Sequence, residues 1–98
     1  MTRNLIVSRE AQADIAEALA WFRDRSPTLP MRFGLELETA YSSILEHPEM
    51  YPLVYKNFRR TLLQRFPYSV FYIVESSFVL IVGVVHQARD ESTWKRRS

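Results

Sequence analysis

Ninety-eight residues, 47% of them hydrophobic, suffice for one domain around one core (1–98), and the formal charge of +2 is nearly balanced. Cysteine is absent, which excludes disulfides and thiolate chemistry, and two histidines without ligand-like spacing argue against a metal site. The N-terminus lacks the apolar stretch of a secretory signal, and the longest apolar run, Phe78 to Val85, is too short to span a bilayer; a cytoplasmic protein with no membrane association is expected.

Asn4 to Val7 reads as a short first strand. Ser8 is placed to cap the helix that follows, whose stripe is Ala11, Ile15, Ala18, Leu19 and Phe22; Ser26-Pro27 ends it near Arg25. Thr28 is expected to cap a second helix with Pro30 in its first turn and a stripe of Phe33, Leu37, Ala40, Tyr41, Ile44 and Leu45, stopped by His47-Pro48. The short connector makes the two an antiparallel hairpin.

After a turn-rich connector from Pro48 to Pro52, three strands are predicted over Arg59–Phe66, Tyr68–Glu75 and Phe78–Gln87, with Ser76-Ser77 as a tight link. The last two are apolar on both faces. Val70, Tyr72 and Val74 point one way and Phe71 and Ile73 the other, while Phe78, Leu80, Val82 and Val84 oppose Val79, Ile81 and Val85. One helical hairpin covers one face, so the other is either covered by something else or left for a partner chain. Gly83, inside a strand, suggests a bulge or a close backbone approach. The fold class is α+β: an N-terminal strand, then an antiparallel helical hairpin packed on a small, largely antiparallel sheet (β-α-α-β-β-β), then a short tail.

Charge divides along the chain. Residues 1–49 carry five Lys/Arg against eight Asp/Glu, residues 50–98 carry eight against three, and no acid occurs from Met50 to Val74. That asymmetry points to an anionic partner for the second half. The candidate target- or phosphate-binding residues are Lys56, Arg59, Arg60, Arg65, Arg89 and Trp94. Arginine's planar fork suits phosphate or carboxylate, and a tryptophan beside cations can stack on a base. The competing readings are a solvated edge strand that uses charge to block pairing, and a tail tryptophan packed back on the domain. Alternation through Phe66 and Leu62 would turn those two toward the helices and place Arg59 and Arg65 on the far face. His86, at the end of the last strand on the side of Val84 and Val82, is a candidate general acid or base, or a histidine held by backbone or Asp90.

Three stretches carry a resemblance: His47-Pro48-Glu49-Met50-Tyr51-Pro52; Phe58-Arg59-Arg60-Thr61-Leu62-Leu63-Gln64-Arg65-Phe66-Pro67-Tyr68-Ser69-Val70-Phe71-Tyr72; and Val84-Val85-His86-Gln87-Ala88-Arg89-Asp90, with Trp94 and Arg97 behind. The ordered set resembles the RelE/ParE superfamily, the toxins of type II toxin–antitoxin modules. The resemblance implies a growth-inhibiting toxin in a hetero-oligomer with a cognate antitoxin, and no cofactor. Two targets follow from its two branches. ParE-like members poison DNA gyrase and need no nuclease site; RelE-like members cut mRNA on the ribosome. Under the second, Arg65, His86 and Arg89 would be the catalytic set. The Phe-Pro-Tyr turn, the His-Gln-Ala-Arg-Asp ending and the lack of any tyrosine after Val85 resemble the ParE-like branch. A non-toxic antitoxin-binding relic is the remaining alternative.

Overall fold

The computed structural model describes residues 3–98. Strand β1 (Asn4–Val7) leads into α1 (Arg9–Arg23) and α2 (Leu29–Glu46), followed by β2 (Leu53–Tyr55), β3 (Phe58–Leu62), β4 (Tyr68–Val74), β5 (Phe78–His86) and the short α3 (Ser92–Lys95). The five-stranded sheet has the order β1-β5-β4-β3-β2. Only β1 is parallel to its neighbour, β5, because the whole helical hairpin lies between the first strand and the meander.

Ser8 caps α1 as expected, its Oγ accepting from the Ala11 N–H at 3.1 Å. Thr28 does not cap α2. Its backbone is already helical, with φ −92° and ψ −19°, and its hydroxyl meets Ser26 Oγ instead. Proline in the first turn lowers the need for a cap, since it brings no N–H. The hairpin docks through an aromatic cluster. Phe22 and Phe33 meet the rings of Phe66 and Tyr68, with centroids between 5.0 and 5.9 Å apart.

The helix-side core takes Val70 and Tyr72 from β4 and Val79, Ile81 and Val84 from β5. Phe58, Phe71, Val82, Val85 and Trp94 form a second cluster on the far face. Strict alternation would keep Val82 and Val84 together. The structure separates them, because pairing jumps from Phe71↔Gly83 to Tyr72↔Ile81 and the extra residue flips the pattern. Gly83 also permits a close approach, since a Cβ there would sit 3.0 Å from Arg97 Nη1.

One open alternative is decided and one expectation is corrected. The far face is not left bare for a partner chain. Trp94 from α3 closes it, only 6% exposed and stacked on Phe71 at 4.1 Å. And β3 ends at Leu62, so the period does not run on to Phe66. Residues beyond Leu62 turn instead, and Leu63 and Phe66 enter the helix-side core from that turn while Leu62 stays half exposed on the other side. The strand β2 was unexpected. It pairs with β3 through a two-residue turn in which Lys56 takes φ 50°.

Candidate functional site

The cationic residues do not share one face. Arg59 lies on the helix side of β3, donating to the carbonyls of Tyr51 at 2.6 Å and Glu49 at 3.1 Å. It fastens the Pro48–Pro52 connector, as does Tyr72, whose hydroxyl donates to the Pro48 carbonyl at 2.7 Å. Burial pushes the Tyr72 hydroxyl up to about 12. Lys56 sits at the β2–β3 turn, its Nζ 5.3 Å from the Tyr55 ring. Arg65 follows β3 in the turn, where its backbone N–H and that of Gln64 are accepted by Glu36 Oε1; its side chain lines a groove against α2 with Arg32 and Leu35. The predicted placement of Arg59 and Arg65 together on the far face is therefore wrong, and Arg65 is not brought beside His86 and Arg89.

What the structure does bring together is Arg60, His86 and Arg89. With Ser69 and Gln87 they line a hollow of about 240 Å³ on the far face, floored by Phe71, Val85 and Trp94. Arg60 reaches it because residues 60 and 62 of β3 face away from the helices. Arg89 reaches it from the loop after β5, where the turn is set by Arg89 N–H donating to the His86 carbonyl at 3.0 Å. Trp94 belongs to the floor. It is buried, so the expectation that it stacks on an outside base is corrected: the apolar far face required a cover, and the indole supplies it.

His86 is held by the backbone, one of the two readings open from sequence. Its Nδ1 accepts from the Ala88 N–H at 3.0 Å, which leaves the ring proton on Nε2. Its ring meets Tyr68 edge-on at 5.2 Å. Burial raises the Tyr68 hydroxyl above its ordinary value, Glu17 adds to this and Arg89 opposes it. Asp90 turns away and accepts from the Ser92 N–H at 2.8 Å, and that bond holds its carboxyl below the usual range.

On the other side of His86 a second cleft runs up to α1, lined by Glu17, Trp21, Asp24 and Tyr68 among others. Arg89 spans the two sides, with a loose 3.4 Å contact to Glu17 in which both side chains are more than half exposed. Among the described residues no group of three His, Asp or Glu is arranged to hold a metal ion. Among the same residues no helix is long and apolar enough to cross a membrane.

The family model described as "ParE toxin of type II toxin-antitoxin system, parDE" matches residues 5–91. The chain belongs to the ParE toxin family. A solved structure titled "Chromosomal ParDE TA system from P. aeruginosa" is similar in fold, with a TM-score of 0.76 at 16% identity over 87% of this chain and 96% of that one. No curated protein matches the chain. The matched span of this ParE-family toxin includes Arg60, His86 and Arg89 but ends before Trp94 and Arg97, the two residues that fasten its tail.

That fastening was invisible in sequence. Arg97 reaches across 83 positions to Asp14, with Nη1–Oδ2 at 2.7 Å and Nη2–Oδ1 at 3.1 Å. Strand β1 pairs with β5 only as far as Val7↔Ile81. Beyond it, Arg97 donates to the Val82 carbonyl and Asp14 accepts from the Val84 N–H, each at 3.0 Å. The pair thus serves backbone groups that a longer β1 would have served. Ser69 and Gln87 were also missed as residues of the far hollow; nothing in their local sequence sets them apart.

Proposed function

We propose that this chain arrests growth by binding DNA gyrase, without nuclease chemistry, and is silenced by a cognate antitoxin. The observation that carries the reading is the dispersal of the candidate nuclease groups. Arg65 lies against α2, away from the hollow that holds His86 and Arg89. The lone pair of His86 Nδ1 is engaged by the Ala88 N–H. A site that must activate a 2′-hydroxyl and protonate a leaving oxygen needs a base with a free lone pair.

The antitoxin half of the proposal draws on the helical flank. A shallow groove there is lined by Val7, Gln12, Ile15, Leu37, Glu38 and Tyr41. The Tyr41 hydroxyl is buried without a hydrogen-bond partner, and burial followed by the Glu38 charge pushes it up to about 12. An orphaned hydroxyl is costly, and a partner chain offering an acceptor there would relieve it. Elsewhere on α2, Met31 and Leu35 are 65% and 62% exposed.

The second reading, a ribosome-dependent mRNA endonuclease, is favoured by the shared hollow of Arg60, His86 and Arg89. Induction in cells separates the two. Gyrase poisoning gives growth arrest with a DNA-damage response and intact messenger, reversed by co-expressing the antitoxin from the adjoining reading frame. Arrest with messenger cut in the ribosomal A site would replace this reading by the nuclease. The absence of any arrest would leave only an antitoxin-binding relic.

A further inference from the structure

The far-face hollow has a chemistry that its dispersed neighbours lack: it is almost entirely a set of donors. We infer that it is an oxyanion site that receives a side-chain carboxylate from a partner protein. This deepens the protein-binding reading above and rests on it.

Arg60 forms no ion pair among the described residues, and it projects from a strand, so the sheet fixes the direction in which its side chain leaves the backbone. Arg89 has only the loose, exposed contact to Glu17, which an incoming anion can replace at little loss. His86 is a donor through Nε2 because Nδ1 is committed to Ala88. Ser69 and Gln87 add a hydroxyl and an amide. The one carboxylate on the rim, Glu91, is occupied by Lys95 at 2.7 Å. The floor of Phe71, Val85 and Trp94 lowers the local dielectric and strengthens whatever ion pair forms above it.

The same floor separates a protein from a nucleic acid. Single-stranded RNA and DNA are held by cations together with open aromatic faces on which bases stack. Here Phe71 and Trp94 spend their faces on each other and are 2% and 6% exposed. The apolar side chain that does stand open at the rim is Leu62, half exposed, which suits an aliphatic neighbour of an Asp or Glu. The occupant is therefore an acidic residue flanked by apolar ones, on a loop or strand of a partner protein.

The test is an NMR titration of the full isotope-labelled chain at fixed ionic strength with four probes: acetyl-Leu-Asp-Leu-amide, its Asn counterpart, inorganic phosphate and a tetrauridylate. The Asp peptide is expected to move the amides of Ser69, Gln87 and Arg89 and the Arg60 Nε–H, with the Asn peptide leaving them in place. Arg60→Gln should weaken that binding roughly tenfold and flatten its salt dependence. Arg89→Gln, at an exposed position where folding is not at stake, should do the same. Shifts from tetrauridylate or phosphate at lower concentration than from the Asp peptide would overturn the inference in favour of a nucleic-acid site. Equal response to the Asp and Asn peptides, or none, would overturn it outright. None of these readouts involves gyrase, so the carboxylate site and the gyrase target fail separately.

Discussion

Replacing Arg97 by Met keeps most of the aliphatic stem and removes the charge that closes β5 onto α1. In the native chain the guanidinium makes two bonds to Asp14 and one to the Val82 carbonyl. The Asp14 and Arg97 side chains are 18% and 15% exposed. Removing one partner of a fully buried pair costs about 3–5 kcal/mol, because the other charge is stranded. The residual exposure admits some water, and Asp14 keeps its bond from the Val84 N–H. The expected loss is therefore about 2–3 kcal/mol, a large share of the roughly 5–15 kcal/mol that holds a domain of this size. Urea denaturation followed by tryptophan fluorescence measures it. A double-mutant cycle with Asp14→Asn isolates the pair, and a coupling of at least about 1 kcal/mol is expected. The tail should also loosen, with faster hydrogen exchange at residues 92–97. A loss below about 0.5 kcal/mol, or a coupling near zero, would refute the idea that this pair substitutes for the missing length of β1.

Alkaline pH should expose the buried tyrosines. Unfolded tyrosine ionises near 10.0 whereas Tyr72 and Tyr41 hold their protons to about 12, so their contribution to stability is constant below pH 10 and falls between 10 and 12 as only the unfolded state loses protons. Tyr72→Phe should shrink that fall in a pH series of urea midpoints. Tyr41→Phe removes an unpartnered buried hydroxyl, and the free chain should gain about 1 kcal/mol while antitoxin affinity drops; a loss of stability would mean the hydroxyl already has a partner. His86→Ala should cost about 1 kcal/mol in urea denaturation by unseating the Ala88 turn, and growth arrest on induction should weaken without being lost, since Arg60 and Arg89 remain in the hollow. Abolished arrest in a folded His86→Ala variant would favour the nuclease.

The parts of the fold governed by local pattern were legible in the sequence. The helical stripes, the Ser8 cap, the Ser26-Pro27 break and the two-sided strands β4 and β5 all follow from spacing and residue type. What failed depended on distant contacts or on a single inserted residue. β2 is three residues long, directly after Pro52, and its turn carries Lys56 at φ 50° rather than a glycine, so it lacks the usual hairpin signal. The early end of β3 inverted the faces assigned to Arg59 and Leu62, since alternation carries no information past the last paired residue. The basic half pointed to one anionic partner because seven of its cations lie close in sequence or cluster in the tail. Geometry spreads them over the connector, the far hollow, the α2 flank and the β5 edge. Only the group around His86 converges, and its Nδ1 bond to Ala88 is a turn detail that residue types alone do not reveal.

The most direct test of the central claim is a purified gyrase assay. Relaxed plasmid DNA, gyrase and ATP are incubated with the isolated chain, and the products are resolved after denaturing the protein. Linear DNA should be trapped in a gyrase-dependent manner, abolished by prior addition of the antitoxin and reduced but still present with His86→Ala. Normal supercoiling with no trapped cleavage, alongside messenger cleavage when the same preparation is added to translating ribosomes, would contradict that claim.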